Sequence, residues 1–320
     1  MTSSPPAVAA GDVLTLEELR HVRRTSTVCG LALVLHAWSV IAAAMAVYAW
    51  WPAPLVLVLA VMVVGSRQLG LAVLMYEGSH WLLSPRSAVN TRVARWLCGY
   101  PVWVDLGRYR RRHHLHHRYT QRAGDPDVDV GRSRPASARA LLWAALRDLS
   151  SWTFWIAVGT WPGWREPRML WSRLRGPVAA NAALLGALAA LGRWEIYVLL
   201  WLLPLATWYQ LVTRLRGIAE HVATSGDDDP LRNTRTTQAG PLARTFLAPY
   251  WVNYHIEHHL LVFVPCWKLR SARATPGQRL RAAHGACPQL RRCPLARDTG
   301  ASGIANLTCL PPSGRIGAVT

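Results

Sequence analysis

The chain has 320 residues, 17 of them tryptophan, with 51% hydrophobic residues and a formal net charge of +19. In a soluble protein this charge would suggest a nucleic-acid partner. Arginine also collects in the cytoplasmic loops of membrane proteins, however, and the apolar runs along the first two thirds of the chain favour that explanation. We therefore expect no nucleic-acid partner, and the six cysteines show neither paired zinc spacing nor the density of a disulfide scaffold.

Residues 1–27 are expected to form a polar, cytosolic N-terminus. No cleavable signal peptide is visible, because the residues from Met1 are polar and rich in Pro and Ala, and Leu14 to Arg24 is charged with a helical pattern. The first apolar stretch should therefore remain as a membrane anchor.

Four apolar stretches are predicted to cross the bilayer, for which a helix needs roughly 20 residues. Val28 to Trp50 and Leu55 to Met75 are joined by a short proline-containing link, which predicts a helical hairpin. Pro177 to Leu191 and Ile196 to Leu211 form a second, shorter pair. Between the pairs, Ala138 to Trp161 is amphipathic and Trp-rich and is predicted to lie in the membrane interface.

Four spans leave both termini and every His-rich segment on one side, and the arginines place that side in the cytoplasm. The predicted fold is therefore all-α: an integral membrane protein with about four transmembrane helices and a cytosolic helical cap. The membrane domain is predicted over residues 28–270. Residues 271–320 are basic and lack periodicity, so we expect a disordered tail, arising from a reading-frame error or serving to touch anionic lipid.

Arg67 and Gln68 interrupt the second apolar stretch. Because charge is costly inside a membrane, both are expected to face the protein interior, where Arg67 could orient a ligand or substrate. Snorkelling, or a shifted boundary of the span, is the alternative.

Nine of the 12 histidines fall in four segments: His80; His113, His114, His116 and His117; His221; and His255, His258 and His259. The second and fourth segments share the spacing i, i+3, i+4, which puts three imidazoles on one face of a helix. The other three histidines, His21, His36 and His284, fit no segment and are assigned no role.

Eight converging imidazoles, all of the clustered ones except His114, exceed the four ligands of a tetrahedral zinc ion and suit two metal ions with open positions. Imidazole also suits iron. Zinc, or a basic patch beside lipid headgroups, remains an alternative explanation.

Two segments resemble the HxxHH boxes of the membrane fatty acid desaturase and hydroxylase family. They are Arg112 to His117, followed by Gly124 to Asp127, and Asn253 to Leu260, which leads into Val264 and Pro265. The likeness covers roughly Val28 to Leu269.

The resemblance implies two iron ions, with O2 as co-substrate and a lipid acyl chain as substrate. The implied ligands are His80, His113, His116, His117, His221, His255, His258 and His259. Where the family has its first box histidine this chain has Tyr76, which is either a substitute ligand or a cause of lost activity.

Six further residues lie beside the implied ligands: Glu77, Asp125, Asp127, Glu220, Asn253 and Glu257. The carboxylates are suited to accept the second N–H of each imidazole, and Asn253 to orient a water or a histidine. Ordinary surface carboxylates are the alternative.

The expected reaction is oxygen-dependent desaturation of a lipid acyl chain at the cytoplasmic side of the membrane. Hydroxylation or ketolation of a lipid, an alkane or a carotenoid uses the same chemistry and stays open, as does a non-catalytic family member. The resemblance implies an external electron donor of the ferredoxin or cytochrome type, which the basic cytoplasmic face could dock.

Overall fold

The computed structural model describes residues 14–128, 137–160, 167–221 and 233–274, and within these ranges the regular secondary structure is helical. Three stretches are long and apolar enough to cross a bilayer: Thr27–Trp50, Pro54–Ser79 and Trp194–His221. The all-α membrane fold is therefore confirmed, whereas the count of four spans stays a prediction.

The N-terminal part holds a short helix and the predicted hairpin. Helix α1 (Leu16–Val22) starts with a capping box between Thr15 and Glu18. Helix α2 (Thr27–Trp50) is capped by Ser26, and α3 (Pro54–Ser79) begins on a proline whose missing N–H costs nothing at that position. Helix α3 is the central element, because nearly every residue from Val64 to Ser79 is buried.

The connection after α3 leads into the first histidine-rich helix. Helix α4 (Ser87–Val93) continues through a π-helical segment (Ala94–Gly99) and a 3-10 turn (Tyr100–Val102) before α5 (Leu106–Tyr119). The Asp105 side chain caps α5 by accepting the N–H of Arg108 at 2.9 Å. The Arg110 guanidinium donates to the Gly78 and Ser79 carbonyls, which ties α5 to the end of α3.

Helices α6 (Ala138–Leu149) and α7 (Trp152–Gly159) occupy the segment predicted to lie in the membrane interface. Trp143, Trp152 and Trp155 are more than half exposed, as aromatic anchors at an interface would be, while Trp161 lies outside the described residues.

Helix α8 (Pro167–Ala190) contains most of the third predicted span but begins ten residues before it. It carries Arg173 and Arg175 and is not among the three apolar stretches long enough to cross.

The last candidate span, Trp194–His221, is a kinked helix rather than a straight one. It runs through α9 (Trp194–Tyr197), a π-helical segment (Val198–Leu202), α10 (Leu203–Ala206) and α11 (Trp208–His221). Pro204 explains the irregularity, because it lacks an N–H for the helical ladder and its ring would collide with the carbonyl four residues earlier. The buried Asp148 of α6 accepts two hydrogen bonds from Arg214, at 2.5 and 2.8 Å, and so fixes α11 against the interfacial helix.

The C-terminal part folds back over α3. It consists of α12 (Pro241–Phe246), a 3-10 turn (Pro249–Trp251), α13 (His255–Leu260) and α14 (Cys266–Ala274). Helix α14 continues four residues past the predicted end of the membrane domain, and the tail from 275 onward lies outside the described residues.

Candidate metal centre

The eight predicted ligands meet in two groups of four. The first group is His80, His113, His117 and His258, and the second group is His116, His221, His255 and His259. Within each group, one nitrogen of each ring lies within 4.8 Å of the corresponding nitrogens of the other three. Side chains from distant parts of the sequence therefore converge.

In the first group, Nε2 of His113 lies 2.9 Å from Nε2 of both His80 and His117. Nε2 of His258 lies 3.1 Å from Nε2 of His117. Two ligands at a right angle around an ion with bonds near 2.1 Å would be about 3.0 Å apart. The spacing therefore fits rings around a metal ion, although hydrogen-bonded imidazoles have the same spacing.

In the second group, Nε2 of His221 lies 2.9 Å from Nε2 of His255. The His116 Nδ1–H donates to both Asp125 carboxylate oxygens, at 3.0 and 3.1 Å, and His221 Nδ1–H to the Asn233 carbonyl at 3.4 Å. These bonds leave Nε2 of both rings as the nitrogen available to a metal. Nε2 of His259 is buried without a hydrogen-bond partner among the described residues, which also fits a metal-facing nitrogen.

The same two helices supply both groups. On α5, His113 and His117 stand four residues apart and join the first group, while His116 joins the second. On α13, His258 joins the first group, and His255 and His259 join the second. His80 and His221 complete the groups from the ends of α3 and α11.

Burial keeps six of these rings neutral. It lowers the pKa of His80 to about 3. Burial, helped by the neighbouring imidazoles, also lowers the pKa of five other ligands well below 6.5: His113, His117, His255, His258 and His259. Neutral imidazole is the form that binds metal, so the donor set fits a pair of metal ions that prefer nitrogen ligands.

Asp125 orients the second group and is 4% exposed. Burial alone would raise the pKa of this carboxyl, but hydrogen bonds from His116 and from the backbone N–H groups of Asp127 and Gln121 outweigh burial and lower the pKa. A charged acceptor therefore fixes the tautomer of His116, as expected for the partner of a metal ligand.

Tyr76 lies against the first group. Its ring centroid is 4.6 Å from that of His113, 4.5 Å from that of His258 and 5.5 Å from that of His80. The hydroxyl is buried and has no hydrogen-bond partner among the described residues. The side chain thus occupies the edge of the group where the resemblance calls for a histidine.

Two other predicted carboxylates make different contacts. Glu77 accepts the backbone N–H of Cys266 at 2.8 Å and so caps α14 instead of binding an imidazole. Asp127 accepts two bonds from Arg112, at 2.6 and 2.8 Å, and forms a third candidate ligand group with His116 and Asp125.

The three remaining predicted neighbours, Glu220, Glu257 and Asn253, also bond chiefly to groups other than imidazoles. Glu220 accepts from Arg216 at 2.7 Å, and its other oxygen is 3.8 Å from His255 Nε2. Glu257 accepts the Thr236 hydroxyl, and Asn253 donates to the Thr237 carbonyl at 2.9 Å. Asp125 is thus the carboxylate that directly holds an imidazole N–H in the described site.

Sequence reasoning missed two contacts to the rings. The Thr120 hydroxyl lies 3.4 Å from Nδ1 of His259, and its position four residues after His116, directly after the end of α5, was an available signal. The Asn233 carbonyl that receives His221 is a backbone group, so no residue type could have revealed it. His114 is exposed, with its ring centroid 5.5 Å from that of His80.

Comparison with known proteins places this geometry in a family. The family model described as Fatty acid desaturase matches residues 48–286. A dihydrorhizobitoxine desaturase from Bradyrhizobium elkanii is 27% identical over 277 residues, covering 78% of this chain and 76% of that protein. A beta-carotene ketolase from Paracoccus sp. (strain PC1) is 28% identical over 232 residues, covering 70% and 82%. Since the match spans most of the chain, including both helices that supply the paired histidine groups, the protein belongs to the fatty acid desaturase family.

Proposed function

We propose that this protein is a membrane oxidoreductase that desaturates a lipid acyl chain with O2 at a centre of two iron ions. The observation that carries the proposal is the arrangement of eight imidazoles in two groups of four, at nitrogen separations of 2.9–3.1 Å where pairs touch. One tetrahedral zinc ion would need only four ligands.

Iron at such a centre supplies the one-electron and oxygen chemistry that an unactivated C–H bond requires. Desaturation removes two hydrogen atoms from neighbouring carbons. With two electrons and two protons from a donor, O2 then leaves as two molecules of water. The residues of this chain would hold the ions and exclude bulk water from them, since His113, His116, His255 and His258 are all buried.

A small cavity, with room for about one water molecule, lies beside the first group. The apolar side chains of Val73, Val252 and Leu269 line it, together with His258 and Tyr76. Clefts that hold a substrate of the size of an acyl chain are usually far larger, so an acyl chain would enter here only if this space widened.

The external electron donor would dock on the outer face of α5. Arg108, Arg111, Arg112 and Arg118 are exposed there, on the helix that carries three of the proposed ligands. A basic surface of this kind attracts an acidic carrier protein and speeds its encounter. This face would lie on the cytoplasmic side of the membrane.

Two alternatives share the scaffold. The similarity to a beta-carotene ketolase favours hydroxylation or ketolation of a lipid or carotenoid as the second candidate, because oxygen activation does not dictate the product. The presence of Tyr76 in the first box favours a member with weakened iron binding and reduced activity.

The test combines metal analysis with product analysis. Purified protein is assayed for iron, and host lipids are profiled after expression beside a His116→Ala variant. About two iron ions per chain and new double bonds that the variant lacks are expected. New hydroxyl or keto groups would instead establish the second candidate, and zinc, or no metal in folded protein, would overturn the proposal.

A further inference from the structure

Arg67 is a buried cation near the middle of the second helix of the predicted hairpin. It is 6% exposed and stands 13 residues after Pro54 on α3, about 20 Å along the helix from the hairpin turn. The hydrocarbon core of a bilayer is about 30 Å thick, so Arg67 lies within it. Ionisable residues at such positions are rare and usually mark a binding site or a pathway.

The guanidinium has neutral neighbours. It donates to the Thr245 backbone carbonyl, and its central carbon is 5.7 Å from the centroid of the Tyr250 ring. Among the described residues it forms no ion pair, and the carboxylates nearest in sequence are engaged elsewhere, as with Glu77 on Cys266. A desolvated cation with no counter-anion is unfavourable, so an anionic ligand would complete this environment.

The local backbone is built to hold Tyr250 at this place. Tyr250 and Trp251 have φ values of 54° and 58°, in the left-handed region that bulky residues seldom adopt. Gly70 on α3 permits the close approach, because a Cβ there would lie 2.7 Å from Cε2 of Tyr250. Strain of this kind gathers at functional sites.

Tyr250 connects Arg67 to the lipid-facing surface. Its hydroxyl is 3.1 Å from Nδ1 of His36, a residue of α2 that is exposed, as are Leu31 and Leu35. Polar groups thus continue from the outside of the hairpin to the buried guanidinium. Tyr250 also lines the small cavity beside His258, so the same side chain contacts both Arg67 and the space next to the first histidine group.

We infer that Arg67, Tyr250 and His36 bind the acidic headgroup, carboxylate or phosphate, of an amphipathic ligand whose hydrocarbon chain extends along Tyr250 toward His258. This inference rests on the proposed function, to which it adds the chemical class of the substrate. Arg67 supplies the counter-charge, and the Tyr250 hydroxyl and the His36 ring supply neutral hydrogen bonds.

The experiment measures binding without turnover. Full-length protein in nanodiscs of zwitterionic lipid is titrated with radiolabelled palmitic acid, in competition with hexadecanol or with a palmitoyl lysophosphatidic acid. We expect wild type to bind the acid about tenfold to a hundredfold more tightly than the alcohol, the usual gain from a charged hydrogen bond. Arg67→Gln should abolish this preference, and Arg67→Lys should keep part of it.

Controls separate the site from the general charge and from folding. Arg193→Gln alters an exposed arginine elsewhere on the chain and should keep the wild-type preference. Thermal unfolding shows whether Arg67→Gln folds. If it does not, the test rests on the preference of wild type for acid over alcohol and on Tyr250→Phe, which should weaken that preference.

Competition by the lysophosphatidic acid at lower concentrations than palmitic acid identifies a phospholipid as the ligand, and the reverse order identifies a free acid. Equal binding of acid and alcohol by wild type, or an unchanged preference in Arg67→Gln, overturns the inference. Iron content and lipid products are measured on the same preparations. Acid-selective binding without iron or product therefore counts against the proposed function alone.

Discussion

Both carboxylate oxygens of Asp125 accept the Nδ1–H of His116, at 3.0 and 3.1 Å, and thereby point the other nitrogen of this ring into the second histidine group. Asp125→Asn removes the negative charge that favours this tautomer. We expect iron affinity of the second group to fall about tenfold to a hundredfold, as for other partners of metal ligands.

The measurement is the iron-to-protein ratio after dialysis against a graded chelator. Glu195→Gln, at an exposed ion pair with Arg193, provides the matched carboxylate control and should leave iron binding unchanged. Equal iron retention in Asp125→Asn and wild type would show that Asp125 does not orient a ligand.

Tyr76→His restores an imidazole at the edge of the first group. Because a neutral imidazole binds Fe(II) better than a buried phenol does, we expect iron content or turnover to rise. Tyr76→Phe distinguishes the two roles of the tyrosine. If the phenol is a ligand, Phe lowers iron content and removes the visible absorption of an iron–phenolate bond. If the tyrosine is only a packing residue, Tyr76→Phe has no effect on iron content. If Tyr76→His raises neither iron content nor turnover, that result counts against an impaired first box.

Gly78 lies between Tyr76 and His80, where α3 meets the π-helical segment. A Cβ on Gly78 would lie 2.2 Å from the Cβ of Ala94, so Gly78→Ala forces the two elements apart. We expect a loss of stability of about 1–3 kcal/mol, the usual cost of overpacking, together with reduced iron content because His80 moves.

Gly186→Ala is the matched control for that substitution. Gly186 lies on α8, and a Cβ there would meet no atom within 4 Å, so alanine should be neutral or slightly stabilising. Thermal unfolding of both variants in the same detergent makes the comparison, and equal melting temperatures would refute the steric argument.

Metal-free protein should lose stability in mild acid. Burial lowers the pKa of His80 to about 3 and lowers those of His113 and His258 well below 6.5, whereas the unfolded chain keeps values near 6.5. The unfolded state then binds more protons than the folded state below pH 6.5. Stability is therefore full above that pH and declines as pH falls toward the folded pKa values.

Thermal unfolding of chelator-treated protein at pH 7.5, 6.5 and 5.5 checks this pH dependence. The same series on His80→Gln should show a shallower decline, because one of the titrating rings is gone. A melting temperature that stays level between pH 7.5 and 5.5 would mean that the rings are not buried in the metal-free protein.

The spacing of residues on helices was predictable from sequence, and the division of the eight histidines between the two groups was not. The i, i+3, i+4 pattern of His113, His116 and His117 predicts one helix face, as found. Which ring joins which group depends on how α5 and α13 cross, and this is set by tertiary packing. The third predicted span differs from the structure for a similar reason. Helix α8 begins before that span, so it contains Arg173 and Arg175 as well as the apolar residues that follow them.

The role of neighbouring polar residues was least predictable. Proximity in sequence suggested Glu77 as a partner of His80, but Glu77 turns toward the N–H of Cys266, 189 residues away. His36 fitted no histidine segment, yet its ring meets Tyr250 across 214 residues. Contacts of this sequence separation leave no local pattern.

The two histidine groups draw on the same two helices, α5 and α13, so the position of one group is tied to that of the other. Three helical residues rise about 4.5 Å along the axis, and this distance separates His113 from His116 on α5. An ion held by either group would fix the rotation of both helices and so would aim the remaining imidazoles. Uptake of the two ions is therefore expected to be cooperative, with singly loaded protein scarce at every metal concentration.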